Sequence, residues 1–187
     1  MKNAIIIHGS PSKEEYGDGE NPISQKHWIP WVKKELTVHG ISVETPDMPI
    51  PYNPMYESWR EVFEGLPINK ETILVGHSSG GGFLLRWLSE NKAKVGAVVL
   101  VAPWIDPDKT LDTGFFDFEI DSELVVRTNG VTVFVSEDDD REVLDSVQTI
   151  IERIPNIEVK KFSDQGHFTE KDMGTVEFPE LIDVLVG

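Results

Sequence analysis

The residues best suited to do chemistry lie in Gly76-His77-Ser78-Ser79-Gly80. A serine hydroxyl is a weak nucleophile near neutral pH. It becomes useful only where a base takes its proton during attack and a carboxylate orients that base. Ser78 follows the apolar run Thr72-Ile73-Leu74-Val75 and precedes Phe83, Leu84, Trp87 and Leu88, which recur at helical spacing. This pattern predicts a strand-to-helix turn with Ser78 at its apex, a nucleophile elbow, in which Gly76 and Gly80 let the backbone fold back. A glycine-rich phosphate cradle is the rival reading. The run lacks the Gly-Lys-Ser/Thr of a Walker loop, and Gly-x-Gly-x-x-Gly followed by a ribose-binding acid does not fit it.

Five histidines compete for the role of base. His77 lies within the elbow, where its side chain is expected to point away from the apex. His27 and His39 fall at helix ends, where solvated or capping roles are the ordinary ones, and His8 closes the first strand on the oxyanion side. His167 follows the last strand in a Gly-His-Phe loop, and the chain order Ser, acid, His is that of the α/β-hydrolases, so His167 is the expected base. The acid is sought in Asp138-Asp139-Asp140, of which only one can face His167: Asp139 first, with Asp138 and Asp140 as alternatives. A calcium site would need the spaced Asp-x-Asp-x-Asp-Gly loop, which is missing. The oxyanion donors are expected to be the backbone amides of Ser79, at the elbow helix N-terminus, and of Ser10. His8, Gly9, Trp104 and Phe168 are expected to line the substrate pocket. This chemistry calls for no metal and no other cofactor.

The elements that must position these groups follow from periodicity. Ala4 to Ile7 reads as a strand covered on both faces; it feeds a long loop kept irregular by Gly17, Gly19 and Pro22 until Ser24, a candidate N-cap for the helix holding Trp28, Trp31, Val32 and Leu36. Pro30 would sit in the first turns of that helix and could delay its start. A short strand at Ile41 to Glu44 and a helix with Trp59, Val62, Phe63 and Leu66 on one face lead to the elbow strand. Val95 to Val101, Val131 to Val135 and Ile157 to Phe162 complete six expected strands, the last alternating like a sheet edge. A helix from Val143 to Ile154 stops at Pro155, and Phe178, Leu181, Ile182 and Leu185 form a closing one. Strands alternating with helices imply an α/β fold, a doubly wound and mostly parallel sheet in a Rossmann-like three-layer sandwich. Residues 1–187 are read as a single domain, with 102–127 a lid or pocket wall, because a long irregular excursion at the carboxyl end of a strand is usually functional.

Composition narrows the function further. With 17 Lys+Arg against 33 Asp+Glu the formal net charge is −16, which repels nucleic-acid backbones and anionic membranes. Absence of cysteine removes disulfides and thiolate chemistry, leaving any nucleophilic work to a serine. Neither a signal peptide nor a spanning helix is legible after Met1-Lys2-Asn3, so a cytoplasmic location is the default expectation.

Beyond the elbow, the segments Trp28 to Leu36, the Asp-Asp within 138–140 and Lys161-Phe162-Ser163-Asp164-Gln165-Gly166-His167-Phe168 resemble the small serine hydrolases of the retinoblastoma-binding protein nine and YdeN type. The resemblance runs over nearly the whole chain. It implies a compact α/β-hydrolase fold without a large cap, and Ser78, His167 and an Asp of the triplet as triad. The chain departs from that family at Asp140-Arg141-Glu142, where Asp-Asp-Pro is usual, and without cysteine it cannot carry the Leu-x-Cys-x-Glu pocket-protein motif. No such protein partner follows. The expected activity is hydrolysis of a small ester, thioester or activated amide through an acyl-enzyme. Alternatives are a non-catalytic protein-binding module on the same fold, and an acyltransferase or lyase using the same triad.

Overall fold

The computed structural model describes residues 2–17 and 22–187; Gly19 of the expected loop lies outside them. Six strands, β1 (Asn3–Ile7), β2 (Ser42–Glu44), β3 (Ile73–His77), β4 (Val98–Val101), β5 (Val131–Ser136) and β6 (Glu158–Phe162), form one sheet in the order β2-β1-β3-β4-β5-β6. Every pairing is parallel. Parallel neighbours need crossovers, which are supplied by α2 (Ile29–Val38), α3 (Tyr56–Glu64), α4 (Ser79–Asn91) and α5 (Arg141–Arg153), while α7 (Pro179–Val186) closes the chain.

The residues of β1, β3 and β4 are all buried because helices cover both faces. Alternate side chains serve opposite cores. Ile5, Ile7, Leu74 and Leu100 pack with Trp59 and Phe63 of α3 and Phe83 and Leu84 of α4. Ala4, Ile6, Val75 and Val101 pack with Val32 and Leu36 of α2 and Leu181 and Leu185 of α7. The outer strands differ: β2 buries only Val43, and β6 buries no residue fully, as its alternating sequence predicts.

Two local expectations are corrected, and one further helix is found. Ser24 does not cap α2; it lies in the short 3₁₀ turn Ile23–Gln25, and the helix starts at Ile29 with Pro30 in its first turn, where a missing N–H costs no hydrogen bond. The long loop after β1 contains the short helix α1 (Lys13–Gly17), and the stretch after His167 contains α6 (Glu170–Met173). Neither is long enough to show a hydrophobic period. α6 does carry a sequence signal, since Thr169 and Asp172 form a reciprocal capping box.

The excursion between β4 and the 3₁₀ turn Leu124–Arg127 is tied down at several points. Phe115 is fully buried against Trp59 and Phe83. Arg86 Nη1 donates to the carbonyls of Gly114 and Phe115, and the Ile105 amide donates to Ser146 Oγ.

Candidate active site

Ser78 sits between β3 and α4 with φ +53° and ψ −124°. A non-glycine residue in this region costs about 1–3 kcal/mol, so it persists only where its surroundings impose it. The Ser78 amide donates to Val101 O at 2.9 Å, and its carbonyl accepts from the amides of Gly81, Gly82 and Trp104. Glycine is required on both sides of the apex. A Cβ on Gly76 would stand 2.6 Å from Gly81 Cα, and one on Gly80 would stand 2.4 Å from the carbonyl oxygens of Ile7 and His8. These close approaches let α4 start directly above the sheet and lift the Ser78 side chain over its carboxyl edge.

The expected oxyanion residues come together. Ser10 Oγ and Ser79 Oγ share a 2.8 Å hydrogen bond that links the loop after β1 to the start of α4. Among the described residues, the amides of Ser10 and Ser79 donate to no protein group.

Of the acidic triplet, Asp139 faces His167, the expected base. His167 Nδ1 lies 3.0 and 3.1 Å from the two Asp139 carboxylate oxygens. The Asp139 side chain is 1% exposed and that of His167 29%, a buried carboxylate behind an accessible imidazole. One Asp139 oxygen also accepts from the Asp140 amide at 2.7 Å. Asp138 instead accepts from Ser136 Oγ at 2.5 Å and from the Gly166 amide at 3.0 Å, and these bonds, that of Ser136 first, hold its carboxyl below the usual carboxylate range. It therefore ties the histidine loop to β5. Asp140 is exposed at the start of α5.

Two cavities open beside these groups, and both are lined by Ser10, Ser78 and His167. The larger, of about 640 Å³, adds Tyr52, Pro54, Trp104 and Leu111 among its walls. The smaller, of about 310 Å³, lies on the side of Gly9, Ile23, His27 and Thr169. Trp104 is steadied as a wall by its indole N–H to Glu142 at 3.3 Å and by edge-on packing against Phe116. No hydrogen bond joins Ser78 Oγ to His167 in this structure; such bonds are often long until substrate is bound.

One of the expected pocket residues, Phe168, is placed differently. Phe168 is fully buried, stacked on Phe178 and edge-on to Phe162, because its φ of +55° turns the ring inward beneath the loop. It lines neither cavity beside Ser78. His8 borders the smaller cavity but is 1% exposed with both ring nitrogens engaged: Nδ1 donates to Gly9 O, and Nε2 accepts from the Met48 amide. Burial pushes its pKa down, so it is a neutral strut for the turn.

Several residues at the site were not legible in the sequence. The His167 amide donates to Asp172 Oδ2 at 3.1 Å, and the Glu170 amide donates to His27 Nδ1 at 3.2 Å. His77 turns its Nε2 onto the His167 carbonyl at 2.8 Å. Only the capping box at Thr169 and Asp172 could have pointed to one of them.

Sheet order, elbow and loop placement together define an α/β-hydrolase. The chain belongs to the serine hydrolase family, whose model matches residues 18–186, and it is a hydrolytic enzyme. Over its full length it is 26% identical to the YdeN protein of Bacillus subtilis (strain 168), covering 95% of that protein. The crystal structure of the ydeN gene product superposes with a TM-score of 0.79 over 100% of this chain and 97% of that one. Est1E from Butyrivibrio proteoclasticus shares the fold at 14% identity and a TM-score of 0.64, covering 100% of this chain and 89% of its own. No helix among the described residues is long and apolar enough to cross a membrane.

Proposed function

We propose that this hydrolase cleaves a small ester, thioester or activated amide through an acyl-enzyme, with Ser78, His167 and Asp139 as its triad. The observation that carries the reading is the convergence of a strained serine and a carboxylate-backed imidazole on the same two cavities, both also lined by Ser10, whose amide, like that of Ser79 beside it, donates to no protein group.

In this mechanism the carbonyl carbon of the substrate meets Ser78 Oγ as its oxygen settles between the amides of Ser10 and Ser79. His167 Nε2 takes the serine proton. The Asp139 carboxylate holds the opposite nitrogen in the N–H tautomer and stabilises the imidazolium that forms. The imidazolium then protonates the leaving group, and water repeats the sequence on the acyl-enzyme. Loss of one oxyanion donor typically slows such a reaction about 10²- to 10³-fold, so the pair of amides carries much of the rate. Trp104 and Leu111 give the larger cavity an apolar wall for one half of the substrate. In this reading 102–127 serves as a pocket wall.

A fluorophosphonate probe should label the native protein and spare Ser78→Ala. Esters of varied acyl length should be turned over by the wild type, with Ser78→Ala at background. Well-folded protein that neither labels nor hydrolyses any ester or thioester would overturn the reading.

A further inference from the structure

His167 stands in a tight turn outside any strand. Its neighbours Gly166 and Phe168 both have positive φ, +49° and +55°, so the turn is not a conformation the chain would hold unaided. The contact with Asp139 orients the imidazole through Nδ1, but where the ring sits depends on the backbone that carries it. That backbone is held on both sides of the residue. Asp172 takes the amide, and the His77 ring takes the carbonyl.

The second of these holds has a particular geometry. His77 is 90 residues from His167 in sequence but is bonded directly to Ser78. It ends β3, pairs with Val101, and is 4% exposed, its ring edge-on to Trp28 at 5.6 Å between centroids. A carbonyl can only accept, so Nε2 must carry the ring proton, and the tautomer is thereby set. One imidazole thus spans from the nucleophile's own neighbour to the backbone of the base.

We propose that His77 is a positioning residue, whose Nε2–H fixes how far the His167 ring stands from Ser78 Oγ by holding the His167 carbonyl against the end of β3. The proposal rests on the reading of Ser78 and His167 as nucleophile and base. A displacement of about 1 Å at a reacting group can cost on the order of 10²-fold in rate, so one well-anchored hydrogen bond here has leverage. Burial favours the neutral form of His77, foremost among the causes that push its pKa well down. That matters because the two rings lie 5.2 Å apart, and a charged His77 would oppose the imidazolium that His167 must become.

The test compares His77→Phe, which keeps an aromatic ring against Trp28 and loses the donor, with His77→Gln, whose amide can restore it. The expected result for His77→Phe is a 10- to 100-fold loss of kcat on an ester substrate, roughly, with KM moved less than about threefold. His77→Gln should recover most of that loss. In the wild type, nitrogen chemical shifts should report His77 as the Nε2–H tautomer. A folded His77→Phe with wild-type kcat, a His77→Gln no better than His77→Phe, or an Nδ1–H tautomer in the wild type would each overturn the proposal. The tautomer measurement stands even where His77→Phe does not fold. Wild-type protein that fluorophosphonate does not label would instead overturn the hydrolase reading on which the proposal rests.

Discussion

The hydroxyls of Ser10 and Ser79, 69 residues apart in the chain, are hydrogen-bonded to each other at 2.8 Å. The bond joins the loop after β1 to the first residue of α4, and so sets the spacing of the two amides proposed to hold the oxyanion. Ser10→Ala and Ser79→Ala keep both amides but remove the link. A neutral hydrogen bond is worth about 0.5–1.5 kcal/mol, so each variant should lose roughly two- to tenfold in kcat. The double variant should lose little more than either alone. A double-mutant cycle on ester hydrolysis checks this, and simple additivity would contradict it.

Asp139→Asn should be far more damaging than either neighbouring change. An amide in place of the carboxylate presents the wrong hydrogen-bonding partner to His167 Nδ1 and cannot stabilise an imidazolium. A loss of about 10³- to 10⁴-fold in kcat is expected from such a change. Asp140→Asn, at an exposed position, should stay within about threefold of wild type on the reasoning that surface charges are screened. Steady-state kinetics of the two variants, side by side, decides which acid orients the base.

Gly80→Ala tests the elbow itself. Its new methyl would meet two carbonyl oxygens of β1 and the following turn at 2.4 Å, and backbone atoms cannot yield as a flexible side chain does. Overpacking of this kind costs typically about 1–3 kcal/mol. Denaturant melts should register that loss, and fluorophosphonate labelling should fall in whatever fraction remains folded, because relief of the clash moves Ser78.

Acid should weaken the fold through three histidines, two buried and one half-buried. His8, His27 and His77 all have pKa values lowered from 6.5, chiefly because burial disfavours the charged ring. Below about pH 6.5 the unfolded chain therefore binds more protons at these positions than the native one, and stability rises with pH in that window. It is fully present above the unfolded value and is lost progressively as pH falls toward the lower, folded values. Melting temperatures should drop between pH 7.5 and pH 5, and the slope should be shallower in His77→Phe, which removes one contributor.

The alternation of strands and helices, the elbow at Ser78, and the order of serine, acid and histidine are all legible in the chain, because hydrophobic period, glycine spacing and succession are local or linear properties. They determined the architecture and brought Ser78, His167, Ser10 and Ser79 to one end of the sheet. Tertiary structure decided the rest. Which of three adjacent aspartates meets His167 depends on where the turn after β5 points each carboxylate, and that turn is held by Ser136 and by the loop it faces. Phe168 turns into the core and His77 turns toward His167 for the same reason. Neighbouring residues in a turn face different ways, and the dihedral angles that choose among them are imposed by hydrogen bonds and packing from parts of the chain far away in sequence.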